Sequence, residues 1–413
     1  MTPIGRPYSL RCCGCGASYA DDGFRLDCSQ PHGQALLRSV YATRFEVDAS
    51  PSMLRYRRWL PVGRALATQT KVAVYRSAAL GKRLGLQNLW VAFSGWWPER
   101  GATLETATFK ELEAYAVLGR LAPNERRTLV VASAGNTAAA FARAGTEQEI
   151  PVLIVIPLAA WERLSKLVRI GPSVRVVAIE DGQYEDAIAY ARGLADDEAF
   201  VLEGGVRNVA RRDGMGTVML AAAEALGTLP DAYVQGVGSG AGALAVHEAA
   251  LRLVADGRFG TRLPRLLLAQ NAPFTPIHDA WSRGAESLGE RPPEVAREQV
   301  RRIAASVLSN VAPPYASAGG VRDALRESSG RTYAVTNPEV GAASELFAEL
   351  EGIDIEPASA VALAALLQAV RHAELERDAT VVLHVTGGGA ARREPVRVAQ
   401  RPELVTMREA KSA

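Results

Sequence analysis

One lysine stands where a primary amine could do chemistry: Lys110, at the end of Glu105-Thr106-Ala107-Thr108-Phe109-Lys110, among small and hydroxyl side chains. An amine can add to a carbonyl carbon and form a Schiff base, which a permanently protonated guanidinium cannot do. The chain has 47 basic residues, of which only Lys71, Lys82, Lys110, Lys166 and Lys411 are lysines, leaving 42 arginines. Arginine serves wherever positive charge alone suffices, which marks Lys110 as a residue kept for its amine. The plainer reading is a helix lysine paired with Glu111 or Glu113.

Two loops downstream could hold anions. Ser133, Ala134, Gly135, Asn136 and Thr137 follow the apolar run Leu129-Val130-Val131 and open an alanine-rich segment, the pattern of strand, loop and helix. Free N–H groups and the macrodipole make such a helix start a seat for a carboxylate or phosphate. Asn136 is also a candidate N-cap, a role compatible with ligand contact. The second loop, Gly238-Ser239-Gly240-Ala241-Gly242, follows residues 233–237 and suits a single phosphate surrounded by backbone donors. As a dinucleotide fingerprint it is imperfect, because the third glycine of G-x-G-x-x-G would fall on Ala243. A dinucleotide-binding oxidoreductase remains the distant alternative, with Asp256 near the position where an acid would hold the ribose. Thr386, at the end of Val381–Val385 and before three glycines, could meet a ring nitrogen or simply end a strand in solvent. A lysine, an anion loop and a phosphate loop in this order suggest an enzyme that uses pyridoxal phosphate.

Cations for an anionic substrate are best sought in 204–217, where Arg207 and Arg211 are the candidates. Their planar forks match oxyanions, although arginine is abundant throughout the chain. All four cysteines fall within the first 28 residues, so no disulfide framework supports the main body. Cys12, Cys15, Cys28 and His32 have the residue types of a tetrahedral zinc site. Cys13 blurs the choice of ligands, a metal-free remnant of a ribbon competes with it, and a zinc-dependent interaction module is a third reading of the chain.

The elements that must position these groups are readable from periodicity. Strand-like runs at 128–133, 152–156, 174–179, 233–237, 265–269 and 380–385 alternate with helical segments at 137–144, 184–195, 217–226, 241–255 and 359–371. This predicts an α/β fold with mainly parallel sheet covered on both faces. Ligands then gather at the carboxyl ends of the strands, where the loops above lie. With 413 residues, two domains and a small appendage are expected. A net charge of +2 leaves no electrostatic footprint for nucleic acid. No apolar run approaches the roughly 20 residues of a membrane span. The start also lacks a signal-peptide apolar region, so a cytoplasmic protein without membrane partners is expected.

Taken as a set, Lys110, 133–137, 208–217 and 238–242 resemble the threonine synthase group of fold type II pyridoxal phosphate enzymes. Within that group the chain looks most like the cysteate synthase family. The segments carrying that likeness include Thr108-Phe-Lys-Glu-Leu-Glu113, Gly205–Thr217, Gln270-Asn-Ala-Pro-Phe274 and Pro313-Pro-Tyr315. The resemblance implies a tryptophan synthase β-like fold of two open sheets. Its implied division is an N-terminal Cys/His segment at 1–36, a large cofactor-binding unit of 37–104 plus 228–413, and a small mobile unit of 105–227. It implies β-replacement on O-phospho-L-serine with sulfite as nucleophile, small-molecule partners only, and a homo-oligomer. Lys110 would hold the cofactor and move the Cα proton, Asn136 and Thr386 would contact its ring, and Gly238–Gly242 its phosphate. Ser133–Thr137, Arg207 and Arg211 would bind the substrate. Threonine synthases carry Asp-Arg-Gly after the lysine, where this chain has Glu111-Leu112-Glu113. They also carry a lysine where this chain has Gly216, which implies a lost substrate cation and a changed specificity. Threonine synthase itself, or another enzyme using phosphoserine or phosphohomoserine with a different nucleophile, is the alternative.

Overall fold

Runs such as Val152–Pro157 and Val174–Ile179 are β-branched and apolar with almost no polar alternation, as strands covered on both faces must be. The computed structural model describes residues 7–133, 135–394, 396, 401–406 and 409. It arranges these strands in two open sheets. A five-stranded parallel sheet runs in the order Phe200–Leu202, Thr128–Ala132, Val152–Pro157, Val174–Ile179 and Glu403–Val405. A six-stranded sheet runs Arg331–Val335, Arg265–Asn271, Ala232–Gly236, Thr380–Val385, Asn88–Phe93 and Ala73–Arg76. Only its last edge strand is antiparallel. Each expected strand and helical run is present. The helix expected from 217 starts earlier, spanning Val209–Leu226.

Two strand pairings cross the boundaries of the expected division. Leu37–Tyr41 pairs with Tyr8–Cys12 in a three-stranded antiparallel ribbon, across the expected boundary at residue 36. Glu403–Val405 leaves the larger unit and pairs beside Val174–Ile179, satisfying hydrogen-bonding groups that an edge strand would otherwise expose.

Three helices pack on one another beside the site, Lys110–Arg120 and Ala241–Asp256 each against Val209–Leu226. They approach closely because small residues line their contacts. A Cβ added at Gly216 would stand 2.9 Å from the Ala245 carbonyl oxygen. The position read as a lost substrate cation is therefore a helix-packing position, where a long side chain has no room, and it does not line the cavity described next.

Candidate active site

Lys110 is the first residue of its helix, and the turn before it is tied to the glycine loop after Thr380–Val385. Phe109 N–H donates to the Thr386 carbonyl at 2.9 Å, and Thr108 forms an isolated bridge with Gly387. The Lys110 side chain faces a cavity of about 390 Å³ between the two sheets. Its Nζ donates to Glu113 Oε2 at 3.1 Å, so the helical i,i+3 pair of the plainer reading exists within the cavity wall. Burial pushes the amine below its ordinary pKa, against the opposing pull of Glu113.

Glu113 is fully buried and gathers three donors. Besides Lys110 it accepts from Thr137 Oγ1 at 2.8 Å and pairs with Arg211 Nη1 at 2.9 Å. Arg211 in turn donates through Nε to Glu203 at 2.8 Å. Burial alone would lower the pKa of that guanidinium, but the Glu113 and Glu203 charges outweigh it and hold it protonated. This network was invisible in the sequence, where Glu113 is 90 positions from Glu203 and 98 from Arg211.

The opposite wall is the Gly238–Gly242 loop, which enters the helix Ala241–Asp256 with its first-turn N–H groups unused by helix bonding. Gly240 has φ +78°, and Ser239 Oγ accepts from Ala241 N–H at 3.3 Å. A Cβ at Gly242 would stand 2.4 Å from Gln235 Nε2 and 3.0 Å from the Phe109 ring, so a side chain there would displace Gln235 from the cradle wall. Gln235 Oε1, also in the wall, is buried without a hydrogen-bond partner among the described residues. Thr386 Oγ1 completes this side, 3.3 Å from Ser359 Oγ. Under it lies His384, whose Nε2 is 3.0 Å from Ser94 Oγ and whose ring packs edge-on against Phe109. Burial lowers its pKa to about 3, so the imidazole is neutral.

Ser133, Gly135, Asn136 and Thr137 line the same cavity; Ala134 lies outside the described residues. The helix cap is Gly135 and not Asn136, which is the first helical residue. The Asn136 amide is instead spent across the cavity, donating to Glu356 Oε2 at 2.8 Å and accepting from Arg163 Nη2 at 2.7 Å. Arg163 also pairs with Glu356 at 3.2 Å. Arg163, Glu356, Tyr184 and the segment 306–310 are cavity residues that the sequence did not disclose. Arg207 is placed outside this cavity, half exposed and paired with Asp27 at 2.6 Å. Asp256 ends the helix that starts at the glycine loop and accepts from Phe45 N–H at 2.9 Å. At 1.5 Å per residue it lies roughly 20 Å from that loop, which removes the ribose-binding acid of the dinucleotide alternative.

At the N-terminus, the ligand atoms of Cys12, Cys15, Cys28 and His32 all lie within 4.8 Å of one another, an arrangement that can hold a metal ion. Cys13 stands apart from the group, against Gly319.

The central cavity fits pyridoxal phosphate in each part. It offers an amine, a glycine cradle for a phosphate, an orphaned amide oxygen and a neutral hydroxyl. The family described as pyridoxal-phosphate dependent enzyme matches residues 75–387, and the chain belongs to that family. Its fold is type II, and its cofactor is pyridoxal 5′-phosphate. A cysteate synthase of Methanoculleus marisnigri is 46% identical over 391 residues, covering 93% of this chain and 89% of the relative. One of Methanosarcina barkeri is 43% identical over 409 residues, covering 96% and 98%. Within the larger family the chain thus belongs with the cysteate synthases. Solved structures share the fold at lower identity. The processed form of threonine deaminase isoform 2 from Solanum lycopersicum superposes with a TM-score of 0.60 at 17% identity, covering 88% of this chain and 95% of that one. Maize serine racemase gives 0.57 at 17%, covering 77% and 88%.

Proposed function

We propose that this enzyme replaces the β-phosphate of O-phospho-L-serine with sulfite, giving L-cysteate and inorganic phosphate. The observation that carries this reading is the partly buried Lys110 amine, set between a glycine cradle and an arginine-supplied loop in one cavity. The likeness to cysteate synthases supports the choice of substrates.

Lys110 would bind the cofactor's aldehyde, Gly238–Gly242 its phosphate, and Asn136 and Thr386 its ring. The bound cofactor supplies a sink for the electron pair released at Cα. Thr386, a neutral hydroxyl, offers the ring nitrogen no charge. Ser133, Gly135, Asn136 and Thr137 would present N–H groups to the substrate carboxylate. Once the substrate's own amino group has displaced it from the cofactor, the Lys110 amine, its basicity lowered by burial, would take the Cα proton. The Cβ–O bond then breaks with its electrons leaving on phosphate, the sulfite lone pair forms the C–S bond, and the proton returns to Cα. Arg211 and Arg163 stand where they can exchange a carboxylate partner for an incoming anion. On this reading residues 105–227 form a small mobile unit that closes over the substrate, and the enzyme works as a cytoplasmic homo-oligomer without nucleic-acid or membrane partners. No described helix is long and apolar enough to cross a membrane.

Purified protein should absorb visible light in a way that borohydride abolishes, and Lys110→Ala should lack that absorbance. Phosphate release from O-phosphoserine should depend on sulfite. Turnover of O-phosphohomoserine with water instead would make the enzyme a threonine synthase, and a colourless protein that cannot be reconstituted would end the proposal.

A further inference from the structure

A second cavity, of about 660 Å³, adjoins the first and shares Tyr184, Arg211, Ser239 and Asn310 with it. It forms an antechamber whose outer wall comes from the N-terminal segment, where Asp27, Gln34, Ala35 and Leu36 face Gly204–Arg207. Residues 21–34 contain neither helix nor strand, and so long an irregular stretch needs anchors other than a core of its own.

Those anchors run to the catalytic helices. The fully buried Arg120, on the helix that begins at Lys110, donates to Asp21 at 2.6 Å, to the Arg25 carbonyl at 2.8 Å and to Asn208 at 2.9 Å. Asn208 caps the helix that carries Arg211, accepting from Ala210 N–H at 3.0 Å. Leu26 packs against Gly204, and Asp27 pairs with Arg207 at 2.6 Å.

The rest of the wall converges on the cysteine cluster. Cys12 Sγ is 3.3 Å from His32 Nε2, and Cys15 Sγ is 3.6 Å from Cys28 Sγ. A tetrahedron with zinc–sulfur bonds of about 2.3 Å and zinc–nitrogen bonds of about 2.0 Å has edges of roughly 3.5–3.8 Å, close to these separations. His32 Nδ1 is engaged by the Gly33 carbonyl, which leaves Nε2 as the ligating atom. Cys12 belongs to the buried strand Tyr8–Cys12, so an ion here would bind the irregular segment to a fixed element at both Cys28 and His32.

We propose that Cys12, Cys15, Cys28 and His32 bind one zinc ion, and that this ion holds the 21–36 wall of the antechamber so that its occupancy governs access of anionic substrates to Lys110. The access half rests on the function proposed above; the metal half stands without it.

The test uses the full-length, cofactor-loaded enzyme. Elemental analysis should find about one zinc per chain. Chelation should raise hydrogen exchange in 21–36 and 203–211 while visible absorbance persists. The KM for O-phosphoserine should rise on the order of tenfold with kcat held, and zinc should restore it. Asp27→Asn, which changes a side chain paired with Arg207 and leaves all four ligands in place, should raise KM with metal content unchanged. Protein that takes up no zinc from supplemented medium, or stripped enzyme whose exchange and KM match the loaded form, overturns the proposal. If loaded enzyme releases no phosphate from O-phosphoserine, the substrate reading fails, while zinc content and exchange still decide the metal site.

Discussion

The Gly238–Gly242 loop and the Ser133–Thr137 loop each end a parallel strand and open a helix, yet they are furnished in opposite ways. Around the glycine loop the polar groups are main-chain N–H and neutral side chains: Gln235, Ser239, and Thr386 with Ser359. Around the other loop stand Lys110, Arg163 and Arg211, each already paired with Glu113, Glu203 or Glu356. On the function proposed above, the contrast separates two tasks. A group that stays bound through every turnover is held by donors that neither titrate nor lose rotamer freedom. An anion that arrives and leaves needs cations whose charge is balanced in its absence, because an unpaired buried charge is costly.

Breaking the glycine wall should have the largest effect. Gly240→Val places a side chain on a residue with φ +78° and its Cβ 2.4 Å from Val321 Cγ2. Backbone strain of about 1–3 kcal/mol is joined by a similar cost of overpacking. Cofactor titration followed by visible absorbance should show severely weakened binding together with a lower melting temperature. Unchanged binding would mean that main-chain donors are not what holds the phosphate.

Glu113→Gln attacks the charged wall and should lower kcat on the order of tenfold, since it unbalances Lys110 and Arg211 together. An anion beside an amine favours the ammonium form, so its removal should lower the Lys110 pKa beyond what burial already does. The acid limb of the kcat profile should therefore move to lower pH; a move to higher pH would show that Glu113 does not face the working amine.

The smallest effect sharpens the neutral side. His384 is held at a pKa of about 3 by burial, below its ordinary 6.5. Only the unfolded chain takes up a proton there as pH falls from 6.5 towards 3, so stability is complete above that window and declines within it, by at most about 1.4 kcal/mol per pH unit. Urea midpoints compared at about pH 7 and pH 5 should fall more for the wild type than for His384→Gln.

The strands were legible because buried parallel strands are written as unbroken apolar runs, and Lys110 because lysine is scarce. The glycine cradle was legible from its spacing after a strand. Arg163 was hidden among 42 arginines, although it follows a parallel strand at the end where ligands gather. Glu356 precedes Pro357 at a helix start and looks like an ordinary boundary residue. Asn136 was legible as polar and terminal, but its partners Glu356 and Arg163 come from distant segments, and only tertiary packing could reveal that its amide reaches across the cavity. Gly216 misled because a residue-by-residue comparison registers a missing charge and not the backbone pressed against it.

Glu403–Val405 has a practical consequence for anyone making this protein. Its three residues pair with Val177, Ala178 and Ile179 on the outer edge of the five-stranded sheet, with Val405 accepting from Glu180 N–H at 2.9 Å. An expression clone trimmed ahead of Glu403 would uncover a flat, valine-rich ribbon ready to recruit its neighbours, and the yield would go to the pellet although every catalytic residue was intact.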